Sequence, residues 1–280
     1  MEERTFELKA RDGALLSGHV GGKGAPALLL HGGPGLADYT EGCAAELGVL
    51  FTSIRYTQRG IAPSASQGPY TVETHMADAL DVLDAFGFAQ AWAIGHSWGG
   101  HLALHLAVAH PERLHGVICI DTLGASDEVF PDFKAALTRS LTPQELARVE
   151  EIEEREDAGE ATEAELVESH SILWPAYFHD PAKAPRPPAR RGVECAAETF
   201  KSVAAHFEAR TLETGLPKVR RLPVLFVHGI QDPLPLRGAL ETAKLIRGAR
   251  VARVPQCGHF PWIEQPGFTS RALRGLFAQL

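Results

Sequence analysis

The sequence predicts an α/β protein with a mostly parallel central sheet, flanking helices and an inserted helical cap. Three observations carry that expectation. Short apolar runs alternate with amphipathic stretches, the pattern of strands joined by helical crossovers. From about residue 124 to residue 220 this alternation stops and helical signals alone remain. Strand-like runs then return twice before the C-terminus, so one sheet is interrupted by an insertion rather than followed by a second domain.

Residues 5–9 and 15–20 alternate in polarity around Asp12-Gly13 and read as an opening hairpin. Residues 27–30 form a continuous apolar run that ends in His31-Gly32-Gly33-Pro34-Gly35, a buried strand feeding a glycine loop. Residues 51–56 read as the next strand. Val72, Met76, Ala79, Leu80, Leu83 and Phe86 then keep helical spacing over 72–86. A strand at 92–94, a helix at 98–109 and a strand at 117–120 complete the first half.

Within the insertion, Thr142-Pro143-Gln144-Glu145 combines an N-cap, a proline at the first helical position and the glutamate of a capping box. Thr162 and Glu165 repeat the box, so two helices meet near Ala158-Gly159. Pro181, Pro185, Pro187 and Pro188 forbid a continuous helix there. Val193, Ala196, Ala197, Phe200, Val203, Ala204 and Phe207 trace a third helical stripe. Strands return at 223–227 and 251–254, and 268–280 reads as a closing helix. The expected division is a core of residues 1–123 and 216–280 with a cap at 124–215.

A chain of 280 residues with 45% hydrophobic and 22% charged side chains suits one large globular domain. Its formal charge of −8 gives no reason to expect nucleic acid or an anionic membrane as partner. The acidic run Glu150, Glu151, Glu153, Glu154, Glu156 and Asp157 reads as a solvated helix face. The first ten residues lack the apolar core of a secretory signal, and no stretch is long and apolar enough to span a bilayer. Cys43, Cys119, Cys195 and Cys257 are scattered without metal-like spacing, which fits reduced thiols and a cytoplasmic setting. A small-molecule substrate is the expected partner, and the sequence leaves the oligomeric state open.

Gly95-His96-Ser97-Trp98-Gly99-Gly100 matches G-x-S-x-G between a strand and a helix. Small residues two before and two after the serine permit the sharp turn that lifts its hydroxyl to the sheet edge. The Trp98 amide at the helix start would then face a developing oxyanion. A serine hydroxyl needs a base oriented by an acid. Asp232 follows one late strand and His259 follows the next, giving the chain order serine, acid, histidine. Singly, Asp232 before Pro233 reads as a turn former and His259 as a loop histidine; their joint placement favours a triad. Asp121, after the 117–120 strand, is the competing acid. In the glycine loop the Gly33 amide is the expected second oxyanion donor, with Pro34 holding the turn through a cis Gly–Pro bond. A phosphate loop is disfavoured because neither G-K-[ST] nor G-x-G-x-x-G is present. His101 and His105 have i, i+4 metal spacing but no third ligand, so neither a metal nor a cofactor is expected. Trp174, Tyr177 and Phe178 either line a pocket or pack within the cap.

Taken together, His31 to Gly35, Gln58-Arg59-Gly60, Gly95 to Gly100, His228 to Asp232 and Gly258-His259 resemble the α/β-hydrolase superfamily, within it the proline iminopeptidase-like group. The resemblance covers residues 5–123 and 216–280. It implies Ser97, Asp232 and His259 as catalytic triad, Gly33 and Trp98 as oxyanion donors, and cofactor-free chemistry under a helical cap. Two positions depart from the group. Thr57 stands where the D-Q-R-G segment has its acid, and Pro233 stands where some aminopeptidases place an amine-binding acid. Glu194, Glu198, Glu208 or Glu213 would have to supply that carboxylate. The expected activity is therefore hydrolysis of a small ester or amide. Prolyl aminopeptidase, carbon–carbon hydrolase or lyase, and non-catalytic ligand receptor are the alternatives on the same scaffold.

Overall fold

A computed structural model describes residues 3–187 and 192–278. Pro188 and the last two residues of the expected closing helix lie outside the described residues. The strands are β1 (Glu3–Lys9), β2 (Leu15–Gly22), β3 (Ala25–Leu30), β4 (Phe51–Thr57), β5 (Ala91–His96), β6 (Leu114–Ile120), β7 (Val224–Gly229) and β8 (Arg250–Val254). They form one sheet in the order β1-β2-β4-β3-β5-β6-β7-β8. Pairing is antiparallel for β1–β2 and β2–β4 and parallel from there to β8.

The apolar runs that gave no alternation in sequence are explained by burial on both faces. Leu28, Leu30, Ala93, Val117 and Phe226 pack into one core, and Ala27, Leu29, Ile94, Ile118 and Val227 into the other. The helices that cover these faces are α1 (Glu41–Leu47), α2 (Val72–Ala85) and α3 (Trp98–Ala109) in the first half. After β6 come α4 (Phe130–Thr138), α5 (Pro143–Asp157), α6 (Glu163–Leu173), α7 (Val193–Glu208) and α8 (Thr211–Gly215), with short 3-10 turns at Trp174–Tyr177 and Pro181–Lys183. No strand occurs among the described residues between β6 and β7. After β7 come α9 (Leu236–Lys244), α10 (Pro261–Glu264) and α11 (Phe268–Phe277). Both capping boxes form, Thr142 with Glu145 and Thr162 with Glu165. Helix α7 is tied to the start of α2 and the residues before it, where Thr199 donates to the Tyr70 carbonyl at 3.0 Å and Val72 N donates to Ser202 at 3.1 Å.

The chain leaves β3 for β4 on one side and returns as β5 on the other. Such a reversal opens a crevice at the carboxyl ends of the two strands. The glycine loop after β3 and Ser97 after β5 both sit there. Close approach is enforced by Gly99, where a Cβ would overlap the Leu30 and His31 carbonyls of the neighbouring strand. Backbone atoms cannot turn aside as a side chain can. Gly99→Ala is therefore expected to cost about 3 kcal/mol or more of stability, measurable by urea denaturation; a loss below about 1 kcal/mol would show that α3 can shift freely.

Candidate active site

Ser97 is held at φ 54°, ψ −120°, a backbone region that costs a non-glycine residue about 1–3 kcal/mol. The strain is fixed from both sides: Ser97 N donates to the Ile120 carbonyl at 2.9 Å, and α3 begins at the next residue. The side chain opens into a cavity of about 620 Å³ walled by Leu123, Phe130, Phe133, Leu137, Tyr177 and Phe200. Gly33, Pro34 and Trp98 line the same cavity. Gly33 takes φ +57°, and its carbonyl accepts from Leu36 N at 2.8 Å, which closes the turn. The cis peptides among the described residues are Ala62–Pro63 and Gly68–Pro69, so the Gly33–Pro34 bond is trans, contrary to the sequence expectation. The glycine's positive φ makes the turn that proline was expected to make. The Gly33 and Trp98 amides have no acceptor among the described residues.

Asp232 and His259 follow β7 and β8 and meet as a pair. His259 Nδ1 donates to Asp232 Oδ2 at 2.8 Å, while Asp232 Oδ1 accepts from Leu234 N at 2.9 Å. Both side chains are buried. Burial holds the imidazole below its ordinary value, so the ring is neutral at rest. No hydrogen bond joins Ser97 to His259 among the described residues, a looseness common in unliganded sites. Asp121, the rival acid, lies behind this pair. Its Oδ1 accepts from Gly229 N at 2.7 Å.

Three supports escaped the sequence reading because each joins residues far apart in the chain. Gln58 accepts from the Trp98 indole at 2.8 Å and donates to the His31 carbonyl at 2.8 Å, so it fixes the serine turn against the glycine loop. Glu264 accepts from Gly258 N at 2.6 Å, Asp180 N at 3.0 Å and His179 N at 3.2 Å. With His259 N donating to the Tyr177 carbonyl at 2.7 Å, this binds the histidine loop to the segment after α6. Finally, Tyr39 Oη accepts from Gly32 N at 2.9 Å and bonds His96 Nδ1 at 2.7 Å, while His96 Nε2 bonds the His259 carbonyl at 2.7 Å. Burial keeps His96 neutral, so one tautomer satisfies the chain: the phenol donates to Nδ1 and Nε2–H donates to the carbonyl.

Tyr39→Phe orphans both the Gly32 amide and His96 Nδ1. Steady-state kinetics on any turned-over substrate should show kcat reduced about tenfold or more with little change in KM. An unchanged kcat would mean the glycine loop keeps its place without the phenol.

The proposed amine-binding acids do not reach the cavity. Glu198 accepts from Tyr70 N, Glu213 pairs with Arg210, and neither Glu194 nor Glu208 lines it. Glu153 and Asp157 do, together with Lys134, which pairs with Glu153 at 2.7 Å. The acidic run is therefore mostly a solvated face whose last two turns also meet the cavity. Tyr177 lines the cavity, whereas Trp174 and Phe178 pack on Phe260. His101 Nδ1 bonds the Gly124 carbonyl at 2.8 Å, and its Nε2 meets His105 Nε2 at 3.1 Å. Among the described residues, the side chains with converging metal-type atoms are Asp121, His228 and Asp232. There Asp232 Oδ2 is already engaged by His259. No described helix is long and apolar enough to cross a membrane.

Comparison with known proteins gives a consistent picture. The family described as "alpha/beta hydrolase fold" matches residues 26–266. A 2-hydroxymuconate semialdehyde hydrolase of Pseudomonas putida is 28% identical over 274 residues, 93% of this chain and 90% of that protein. A proline iminopeptidase of Lactobacillus delbrueckii subsp. bulgaricus is 25% identical over 260 residues, 86% of this chain and 85% of that protein. Among solved structures, a meta-cleavage product hydrolase of Pseudomonas fluorescens superposes with a TM-score of 0.71 at 20% identity, covering 98% of this chain and 97% of that one. That last likeness speaks for the fold alone.

Proposed function

Because the chain belongs to the α/β-hydrolase family, we propose that it is a serine hydrolase that cleaves a small-molecule ester or amide through an acyl-enzyme on Ser97. The observation that carries this reading is the strained Ser97 turn, opening into an apolar cavity at the sheet edge where Asp232 and His259 pair. Neutral His259 takes the Ser97 proton at Nε2 as Oγ attacks the carbonyl carbon. Asp232 holds Nδ1–H and so fixes the tautomer. The oxyanion is met by the Gly33 and Trp98 amides. The imidazolium returns its proton to the leaving alcohol or amine, and water activated by the same ring then releases the acid. Four free, buried cysteines support a reducing, cytoplasmic setting.

The apolar walls favour an uncharged acyl or alkyl group. A second reading, cleavage of a carbon–carbon bond in a dienoate, is favoured by the muconate semialdehyde hydrolase relative. Against it, Lys134 is the cation among the described lining residues and is already paired with Glu153. Prolyl aminopeptidase activity is the other alternative, with the cavity-lining Glu153 and Asp157 as the acids that would meet a substrate amine.

A fluorophosphonate probe tests the nucleophile, and a panel of neutral esters, lactones, prolyl amides and dienoates tests the bond. Wild type should be labelled covalently and Ser97→Ala should not, with thermal midpoints alike. Labelling that persists in Ser97→Ala refutes the assignment.

A further inference from the structure

The triad reading leaves the buried Asp121 unused. Asp121 stands at the end of β6 at φ +44°, a left-handed conformation that few residues other than glycine adopt. That backbone turns its carboxyl inward, where it is fully buried. One oxygen of Asp121, one of Asp232 and a ring nitrogen of His228 lie within 4.8 Å of one another. Two carboxylates so close and so dry cannot both stay ionised without a neighbouring cation. His259 is neutral at rest. His228 uses Nε2–H to bond the Leu234 carbonyl at 2.9 Å, and its Nδ1 has no hydrogen-bond partner among the described residues. That Nδ1 lies 3.8 Å from Asp121 Oδ1, beyond hydrogen-bond distance, so a second proton there would find no acceptor within hydrogen-bond reach. The pair therefore shares one proton.

The partners decide which carboxyl keeps it. Asp232 accepts from His259 Nδ1 and from Leu234 N, both of which favour the anion. Asp121 accepts from Gly229 N through Oδ1 alone, and its buried Oδ2 has no donor. We propose that Asp121 is a positioning residue of the triad: it keeps the proton and donates it from Oδ2 to the Asp232 carboxylate, which stays ionised and aimed at His259. Burial raises both acids, and the bond between them raises Asp121 further while lowering Asp232. The other titratable groups felt by this pair are His228, Glu264 and Cys257. The role in catalysis rests on the serine-hydrolase reading; the shared proton does not.

Infrared difference spectroscopy at neutral pH reads the proton directly. Wild type minus Asp121→Asn should contain the C=O stretch of a protonated carboxyl, shifted in deuterium oxide. Its absence overturns the proposal in favour of ionised Asp121 against a charged His228. The catalytic role is read from the rate of fluorophosphonate labelling against pH. Asp121→Ala should slow labelling about 10- to 100-fold, and Asp121→Asn, whose amide N–H still donates, should restore most of it. If Asp121 is instead ionised, Asp121→Asn removes a negative charge near His259 and moves the acid limb of the profile to lower pH. A folded Asp121→Asn that labels as slowly as the alanine variant also overturns the role. Failure of wild type to label at all would sink the serine-hydrolase reading and with it the catalytic role, while the infrared band would still decide where the proton sits.

Discussion

Replacing His259 by alanine is expected to lower kcat/KM by about 10⁴-fold or more, the largest single loss available in this molecule. Without the ring, the Ser97 proton has no acceptor and the leaving group no donor, so both halves of the reaction fail together. The variant should remain folded, because the loop that carries residue 259 is held by its own amides, Gly258 N donating to the Glu264 carboxylate and the residue 259 amide to the Tyr177 carbonyl. Circular dichroism and a thermal scan separate the two effects. Turnover within about tenfold of wild type would remove His259 from the mechanism. The wild-type rate profile carries a linked signature. The base works only when neutral, and burial holds it below the ordinary histidine value of 6.5. The rate should therefore persist on acidification past pH 6.5 and fall only further down.

Acid should unfold the protein before it silences the site. His31, His75, His96, His101 and His105 are all buried and all held neutral by desolvation, His75 down to about 3 and His101 to about 4. In the unfolded chain each titrates near the ordinary value. Below pH 6.5 the unfolded state thus binds protons that the folded state refuses, and stability falls as pH falls. Each such histidine contributes about 1.4 kcal/mol per pH unit inside its window. Several acting together approach the whole stability of a typical domain, about 5–15 kcal/mol, within two pH units. Urea titrations between about pH 7.5 and 4.5 should show that collapse with net proton uptake on unfolding. A stability that stays flat from neutrality to about pH 5 would mean these histidines are hydrated.

What could be read from sequence was whatever is local. The glycines around Ser97, the strand runs ending at Asp232 and His259, and the two capping boxes each carry their cause within a few residues. Short helices fared worse. Helix α1 spans seven residues, and its Thr40 N-cap makes no side-chain capping bond. Helix α9 follows Pro233 and Pro235 and went unseen for the same lack of a start signal. The site's supports were illegible for a different reason. Tyr39 and His96 are 57 positions apart, and His96 and the His259 carbonyl 163, so no periodicity links them. Asp121 was visible as a rival acid, but its partnership with Asp232 exists only once β6 and β7 are neighbours. The acids expected to meet a substrate amine sit on α7 and α8, whereas those that line the cavity sit on α5, because helical charge looks alike whichever way a helix faces.

Glu264 has a practical meaning for anyone who grafts a different roof onto this scaffold. Its carboxylate grips Gly258 beside the base and the backbone of residues 179 and 180 in the roof, so the two are one rigid joint. A replacement cap can vary its helices freely, yet it must present two amides and a carbonyl at that joint. A chimera that ignores them would carry a new pocket over a histidine that no longer knows where to stand.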